Sequence, residues 1–404
     1  MRKLLALLLV LMTAIGITAC TKGDADITQP TTDVITTAET TAPEIESDLL
    51  NWAECTEYSF DEDEQVKNII LLIGDGMGEN IIKNAEIVKG EKLSMQNMPH
   101  SCFVSTDSLS GTTDSAAAST AISCGIKTTN KFLGMDENRV PVETICEFAK
   151  ARGMKTGLVA TQIISHATPA GMATHYDYRD MYNGITKDMI NMEIEVLLGG
   201  GSEYTDTAKN QQRIKDHGYT YVKTSEELTA VPGDTEKLIG AFAYNEFSSK
   251  YNPSLTTMTT KALEILEGEE GFFLMVEASH IDMFESKLDM DSTITEMQAF
   301  DKCIDYTLRW AQEHPGTLVI VTADHETGGV TVPESGKAED VNKDCFTSGG
   351  EHTSADVLLF SAGAQSGKLF SEDRIDNTDI AKIMRKALND TYGEKPVTLL
   401  NQRQ

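Results

Sequence analysis

Asn68-Ile69-Ile70-Leu71-Leu72-Ile73-Gly74-Asp75-Gly76-Met77-Gly78 is the stretch on which the fold turns. Its apolar run, Ile69–Ile73, is short, unbroken and closed by glycines and an aspartate. Such a run reads as a strand buried on both faces of a parallel sheet. Two later segments repeat the arrangement: Phe272–Val276 leads to Glu277 and Asp282, and Leu318–Val321 leads to Asp324 and His325. Ligands of open α/β sheets bind beyond the carboxyl ends of the strands. The three runs therefore bring four carboxylates and an imidazole to one edge, where mutual repulsion calls for cations. The pattern points to a multi-metal site.

Outward from Asp75, helix-like and strand-like spacings alternate. Helical spacing is expected over Glu79–Val88, from Asp114 to Ser123 and over Val142–Ala151, and a strand over Gly157–Thr161. Glu195–Leu198 gives another strand, closed by Gly199-Gly200-Gly201. A helix over about Ser292–Ala311, strands at Leu318–Val321 and Asp356–Ser361 and a helix near Thr378–Leu388 complete the series. The alternation predicts an α/β fold with a mostly parallel central sheet flanked by helices on both faces. No internal repeat is visible.

The amino terminus reads as a processing signal. Arg2 and Lys3 precede the apolar stretch Leu4–Ile17, too short for a comfortable membrane span, and Ile17-Thr18-Ala19-Cys20 has the small residues of a lipobox. We therefore expect a signal peptide over 1–19, lipidation at Cys20, a disordered tether over 20–50 and a catalytic body over 51–404. An ordinary secretory signal is the alternative. Thr21–Asp48 has almost no large apolar residues and cannot bury enough surface to fold. The expected address is extracytoplasmic, as a bacterial cell-membrane lipoprotein. The formal charge of -29 argues against nucleic acid as a partner, because phosphate backbones would be repelled. Cys55, Cys102, Cys124, Cys146, Cys303 and Cys345 lack CxxC spacing, so no zinc ribbon or dense disulfide scaffold is indicated. One or two disulfides are left open.

Ser115 sits in Thr113-Asp114-Ser115-Ala116-Ala117-Ala118-Ser119, where small residues allow close approach to a helix start whose amides favour an anion. A serine or aspartate there can equally be a plain N-cap. Other segments follow in order: Ser165-His166-Ala167-Thr168-Pro169-Ala170, Glu277 through Asp282, Thr322-Ala323-Asp324-His325-Glu326-Thr327-Gly328-Gly329, and Glu351-His352-Thr353. From about Asn68 to Leu388 this ordered set resembles the alkaline phosphatase family.

The resemblance implies hydrolysis of phosphate monoesters through a phosphoserine, with Zn2+ at two sites and Mg2+ at a third. Asp75, Asp324 and His325 match the ligands of the zinc that activates the nucleophile. Asp75 is also expected to bridge to magnesium, with Thr168 and Glu277 completing its protein ligands. Ser115 matches the nucleophile, and Arg179 the arginine that clamps two phosphate oxygens, which its planar fork suits. His166 falls beside the magnesium site. Asp282 and His352 match ligands of the second zinc. The family places a histidine four residues after the aspartate matching Asp282; here that position is Ser286, a poor zinc ligand. This weakened site binds metal loosely, recruits Glu285 or His280, or stays empty. Members of the family are often dimers, and a homodimer is expected on that ground alone.

Rival readings are a phosphodiesterase or sulfatase of the same broad superfamily, and a metal- or phosphate-binding lipoprotein with little catalysis. Sulfatases need a proline two residues after the nucleophile, absent from Ser115-Ala116-Ala117, and diesterases commonly lack the arginine clamp. Gly74–Gly78 lacks the GxGxxG spacing of a dinucleotide site. Of the other histidines, His175 is expected to support the segment between Pro169 and Arg179, and His100, His217 and His314 to lie at the surface. Glu267–Glu270 reads as a solvated loop.

Overall fold

The computed structural model describes residues 51–54, 56–247 and 252–399. The expected signal peptide, Cys20, the tether and Cys55 lie outside the described residues. The chain contributes β1 (Asn68–Gly74), β2 (His100–Ser105), β3 (Lys155–Ile163), β4 (Val196–Gly200), β5 (Thr220–Val222) and β6 (Leu238–Ala241), followed by β7 (Phe272–Ala278), β8 (Thr317–Thr322), β9 (Glu326–Thr327), β10 (His352–Thr353), β11 (Val357–Gly363) and β12 (Arg374–Asp376).

Ten of these form one sheet in the order β12-β2-β11-β8-β1-β7-β3-β4-β6-β5. All pairings in it are parallel except those of β11 with β2 and β8. Every residue of β1, β4, β7 and β8 is buried, as unbroken apolar runs require of strands covered on both faces. Two helix sets do the covering. One contains Glu79–Lys89, Leu255–Leu266 and Met290–Glu313, and the other Ser115–Cys124, Ala167–Gly171, Ile145–Ala151 and Asn377–Tyr392.

Topology puts the chemistry at one edge. β7 and β8 are far along the chain, yet they pair on either side of β1, with Ile73 beside both Glu277 and Thr322. Asp75, Glu277 and Asp324 thus leave three adjacent parallel strands at nearly the same height. The expected strands and helices recur with ends shifted by a few residues, as at Met290–Glu313 for Ser292–Ala311. Among the described residues the five cysteines are buried free thiols, and no helix is long and apolar enough to cross a membrane.

Candidate metal centre

Ser115 is the first residue of the helix Ser115–Cys124, and Asp114 caps it by accepting from the Ala117 amide at 3.0 Å. The run Ser115-Ala116-Ala117-Ala118-Ser119 has no bulky side chain, so the helix start fits against the sheet edge. The buried Ser115 Oγ lies 3.3 Å from His325 Nε2. That same nitrogen lies 3.5 Å from Asp75 Oδ1 and 3.2 Å from Asp324 Oδ2. Asp324 is held by the amides of Gly76 (3.2 Å) and His325 (3.0 Å), both on its Oδ1, which leaves Oδ2 turned inward.

Two groups of ligand atoms lie within 4.8 Å of one another: Asp75, Asp324 and His325, and Asp282, His325 and His352. His325 belongs to both. Thr327 ties the groups together, donating to Asp282 Oδ1 at 2.6 Å and lying 3.3 Å from His325 Nδ1. His352 is fixed from behind by the Thr113 carbonyl, 2.9 Å from Nδ1, so Nε2 faces Asp282 Oδ1 at 3.5 Å. The link from Asp282 to β1 is a backbone bond, Asp282 N to Asp75 O at 2.9 Å. It needs Gly76 at φ 78°, where a Cβ would come 2.6 Å from a Glu285 oxygen and 3.0 Å from Asp282 Cα.

The donor set fits cations. Asp75 Oδ1, Asp324 Oδ2, Thr168 Oγ1 and both Glu277 oxygens are buried without a hydrogen-bond partner, a costly state unless something else satisfies them. Burial, then the charges of Asp324, Asp282 and Glu277, push the Asp75 carboxyl well above its ordinary range. Burial and Asp324 carry Glu277 up to about 7. Asp282 goes the other way: burial alone would raise it, but the His352 hydrogen bond and the imidazole charges hold it well below the usual carboxylate range. His352 mirrors this, rising against burial to about 9 through Asp282. Burial keeps His325 below the usual imidazole value despite Asp324.

Arg179 reaches the same place. Its Nη1 donates to Asp114 Oδ2 at 3.1 Å, and Nη2 lies 3.4 Å from His166 Nε2. Burial first and Arg179 second hold His166 down to about 3, so it is a neutral imidazole. Ser286 caps the short helix His280–Glu285 at its carboxyl end, its amide bonded to Asp282 O at 2.8 Å. Among the described residues no fourth carboxylate, imidazole or thiolate joins either ligand group. His280 turns toward the helix Met290–Glu313, with Nδ1 3.7 Å from Glu296. Glu285 is fully buried beside Gly76, both oxygens without a hydrogen-bond partner, and burial with Asp282, Glu326 and Asp324 pushes its carboxyl well up.

Asp75, Ser115, His166, Thr168, Arg179, Glu277, Asp282, Asp324, His325 and His352 therefore converge, while His280 turns away. Sequence reading missed Thr327 and the pairing of Asp114 with Arg179. Thr327 could have been found by parity, since residues two apart on an extended segment share a face. His100, His217 and His314 are partly exposed and face Glu62, Glu193 and Glu267.

A mostly parallel α/β sheet whose strand ends gather carboxylates and imidazoles beside a serine at a helix start defines a site of hydrolase type with the donors to hold metal. The chain belongs to the alkaline phosphatase family, whose model matches residues 66–346. It is 35% identical over 297 residues to alkaline phosphatase 3 of Bacillus subtilis, covering 68% of this chain and 64% of that relative's length. It is 29% identical over 410 residues to the alkaline phosphatase of Escherichia coli, covering 81% and 87% of the two. The solved alkaline phosphatase from the Antarctic bacterium TAB5 superposes with a TM-score of 0.71 at 29% identity, over 80% of this chain and 98% of that one.

Proposed function

We propose that this protein hydrolyses phosphate monoesters through a phosphoserine on Ser115. One observation carries the reading: Ser115 Oγ, at a helix amino terminus, is 3.3 Å from an imidazole shared by two ligand groups. Arg179, pinned by Asp114, supplies a planar pair of donors for two equatorial oxygens of the phosphoryl group, where a loose transition state spreads charge. Ser115 Oγ attacks phosphorus in line while the bond to the leaving oxygen breaks, and the amides of the helix start favour the anion that results. The proton lost by Ser115 ends on the leaving oxygen, which departs as the alcohol; water then attacks the phosphoserine, its oxygen stays on phosphorus as the P–Oγ bond breaks, and one of its protons returns to Ser115 Oγ.

Asp75, Asp324 and His325 would hold one Zn2+, Asp282 and His352 a second, and Asp75, Thr168 and Glu277 a Mg2+. Such ions, when bound, supply Lewis-acid charge neutralisation and lower the pKa of a hydroxyl or water. His166, neutral and beside Arg179, shapes the magnesium side without adding charge. We assign Glu285, rather than His280, as the residue able to compensate for Ser286, because it is buried next to Asp282 with both oxygens lacking a hydrogen-bond partner. Lipid attachment at Cys20, an extracytoplasmic location at a bacterial cell membrane and a homodimer belong to the same proposal. The lipobox supports the first two; the third rests on resemblance.

The deciding measurement is turnover of p-nitrophenyl phosphate by wild type and Ser115→Ala, each chelated and then resupplied with zinc and magnesium. Acid-quenched wild type should carry one phosphoryl group on Ser115 and the variant none. High turnover in the variant, or in chelated wild type, contradicts the reading. A phosphodiesterase would instead favour bis(p-nitrophenyl) phosphate. A second reading, a metal- or phosphate-binding lipoprotein with little catalysis, is favoured by Ser286 alone, and a trapped phosphoserine would exclude it.

A further inference from the structure

We infer that Tyr182, Tyr204 and Tyr244 form a leaving-group subsite that selects phosphomonoesters carrying a neutral planar ring, such as a nucleoside. The inference rests on the phosphomonoesterase reading above and adds its substrate class. The row begins at the phosphate clamp. His166, whose Nε2 is 3.4 Å from Arg179 Nη2, lies nearly parallel to the Tyr182 ring, with centroids 6.3 Å apart and planes 24° apart. Tyr182 meets Tyr204 at 5.2 Å and 46°. Tyr244, 71% exposed, stands on the neighbouring segment. Its segment is tied to the Tyr204 segment by backbone bonds, from Gly201 N to Ala243 O (3.0 Å) and Asn245 O (2.8 Å), and from Glu203 N to Tyr244 O (2.9 Å).

His166, Tyr182 and Tyr204 are half-buried, and Tyr244, on the segment paired with that of Tyr204, is exposed. Scattered exposed aromatic residues need no explanation. A graded row that starts on the guanidinium and is held by two clamped segments has a direction, and a leaving group bound to the clamped phosphoryl can follow it outward. Planar rings stack on aromatic side chains whatever their substituents. Acidic groups rim the row: Asp180 accepts from the Tyr182 hydroxyl at 3.3 Å, and Glu203 is exposed. They disfavour an anionic leaving group and suit a base with N–H donors.

The test compares kcat/KM for adenosine 5′-monophosphate and ribose 5-phosphate, using the full chain with zinc and magnesium. Both substrates break a primary phosphate ester, and they differ by the base. Wild type should prefer the nucleotide by about tenfold, the scale of one stacked base. Tyr204→Ala and Tyr244→Ala should each cut that ratio, and Tyr204→Phe should keep it. Because Tyr244 is exposed, Tyr244→Ala serves even where the Tyr204 variant fails to fold. Equal use of the two substrates by wild type, or a ratio unmoved in both alanine variants, overturns the subsite. An unmoved ratio with a change from dimer to monomer would identify the row as a subunit contact instead. Absence of turnover on both substrates defeats the phosphomonoesterase reading itself, and the inference with it.

Discussion

The imidazoles of His325 and His352 lie face to face, with ring centroids 3.6 Å apart and planes 26° apart. They come from segments on either side of a long loop and meet in the ligand group of Asp282, which His325 joins to the group of Asp75 and Asp324. Two stacked imidazoles cannot both carry a proton cheaply. His352 takes the charge, since Asp282 raises it to about 9, while burial keeps His325 low. Of the remaining carboxylates, Asp75 feels Arg179 only as the weakest of its influences, and burial with its acidic neighbours outweighs it.

That imbalance predicts strong coupling of metal to stability. Without cations the protein keeps partner-free buried oxygens on Asp75, Glu277 and Asp324. An ion present at a thousand times its Kd adds about 4 kcal/mol to the folded state. Dialysis against EDTA should lower the Tm by several degrees, and zinc with magnesium should restore it. A melting curve indifferent to chelation would show that the cluster holds no ion.

Asp114 serves three neighbours at once, the Ala117 and Lys131 amides and Arg179, and its variants should separate the helix cap from the clamp. Its Oδ1 accepts from the Ala117 amide and its Oδ2 from Arg179. Asp114→Ala loses the cap, costing about 1 kcal/mol, and frees Arg179 to wander. Asp114→Asn keeps one acceptor oxygen, enough for the Ala117 cap, but puts an NH2 that cannot accept toward Arg179 and removes a charge that competes with phosphate. Inorganic phosphate should therefore inhibit the Asn variant more tightly than wild type, and the Ala variant less tightly than the Asn variant. Urea unfolding should show the loss only for alanine. Identical phosphate inhibition in all three would separate Asp114 from the clamp.

Ser286 lies one helical turn after Asp282, on the same side of the short helix, where a ligand to the Asp282 and His352 group would belong. Ser286→His should raise the zinc content of the purified protein by up to one ion and increase turnover. Glu285→Gln in the wild-type background should lower zinc content, because it removes a buried carboxyl group beside Asp282 that could bind the ion as a carboxylate. Metal analysis after gel filtration reads both. If Glu285→Gln leaves the content unchanged, Glu285 does not compensate.

The parts legible in the sequence are those where burial leaves a continuous apolar signature. β1, β7 and β8 announced themselves in this way, and the groups at their carboxyl ends followed from sheet geometry. β2 did not, because His100-Ser101-Cys102-Phe103-Val104-Ser105 alternates burial and has no apolar run. The helix Leu255–Leu266 was hidden by Thr256, Thr257, Thr259 and Thr260, which are weak helix formers, although its buried residues fix it by packing. The reversed direction of β11 was equally hidden, since a strand's direction depends on its connections. Contacts such as Arg179 to Asp114, or His325 in two groups at once, depend on segments that meet only after folding.

His175 ties stability to pH at a site away from the residues that would hold metal. His175 is buried, with Nδ1 2.7 Å from Gly134 O and Nε2 3.1 Å from Glu147 Oε1. The other Glu147 oxygen accepts from the Thr144 amide at 3.0 Å, closing the capping box of the helix Ile145–Ala151. Burial would lower the His175 pKa, but the Glu147 hydrogen bond and charge, the Gly134 carbonyl and the more distant Asp188 carry it above its ordinary value. A histidine raised on folding binds its proton more tightly in the folded state. Its contribution is complete below the unfolded value, about 6.5, and is lost as pH rises through the folded one. His175→Gln removes one partner of a buried pair, which typically costs about 3 kcal/mol. The stability gap between wild type and His175→Gln should be widest near pH 6 and narrow steadily toward alkaline pH. A gap that is constant from pH 6 to pH 10 would mean that His175 is neutral throughout.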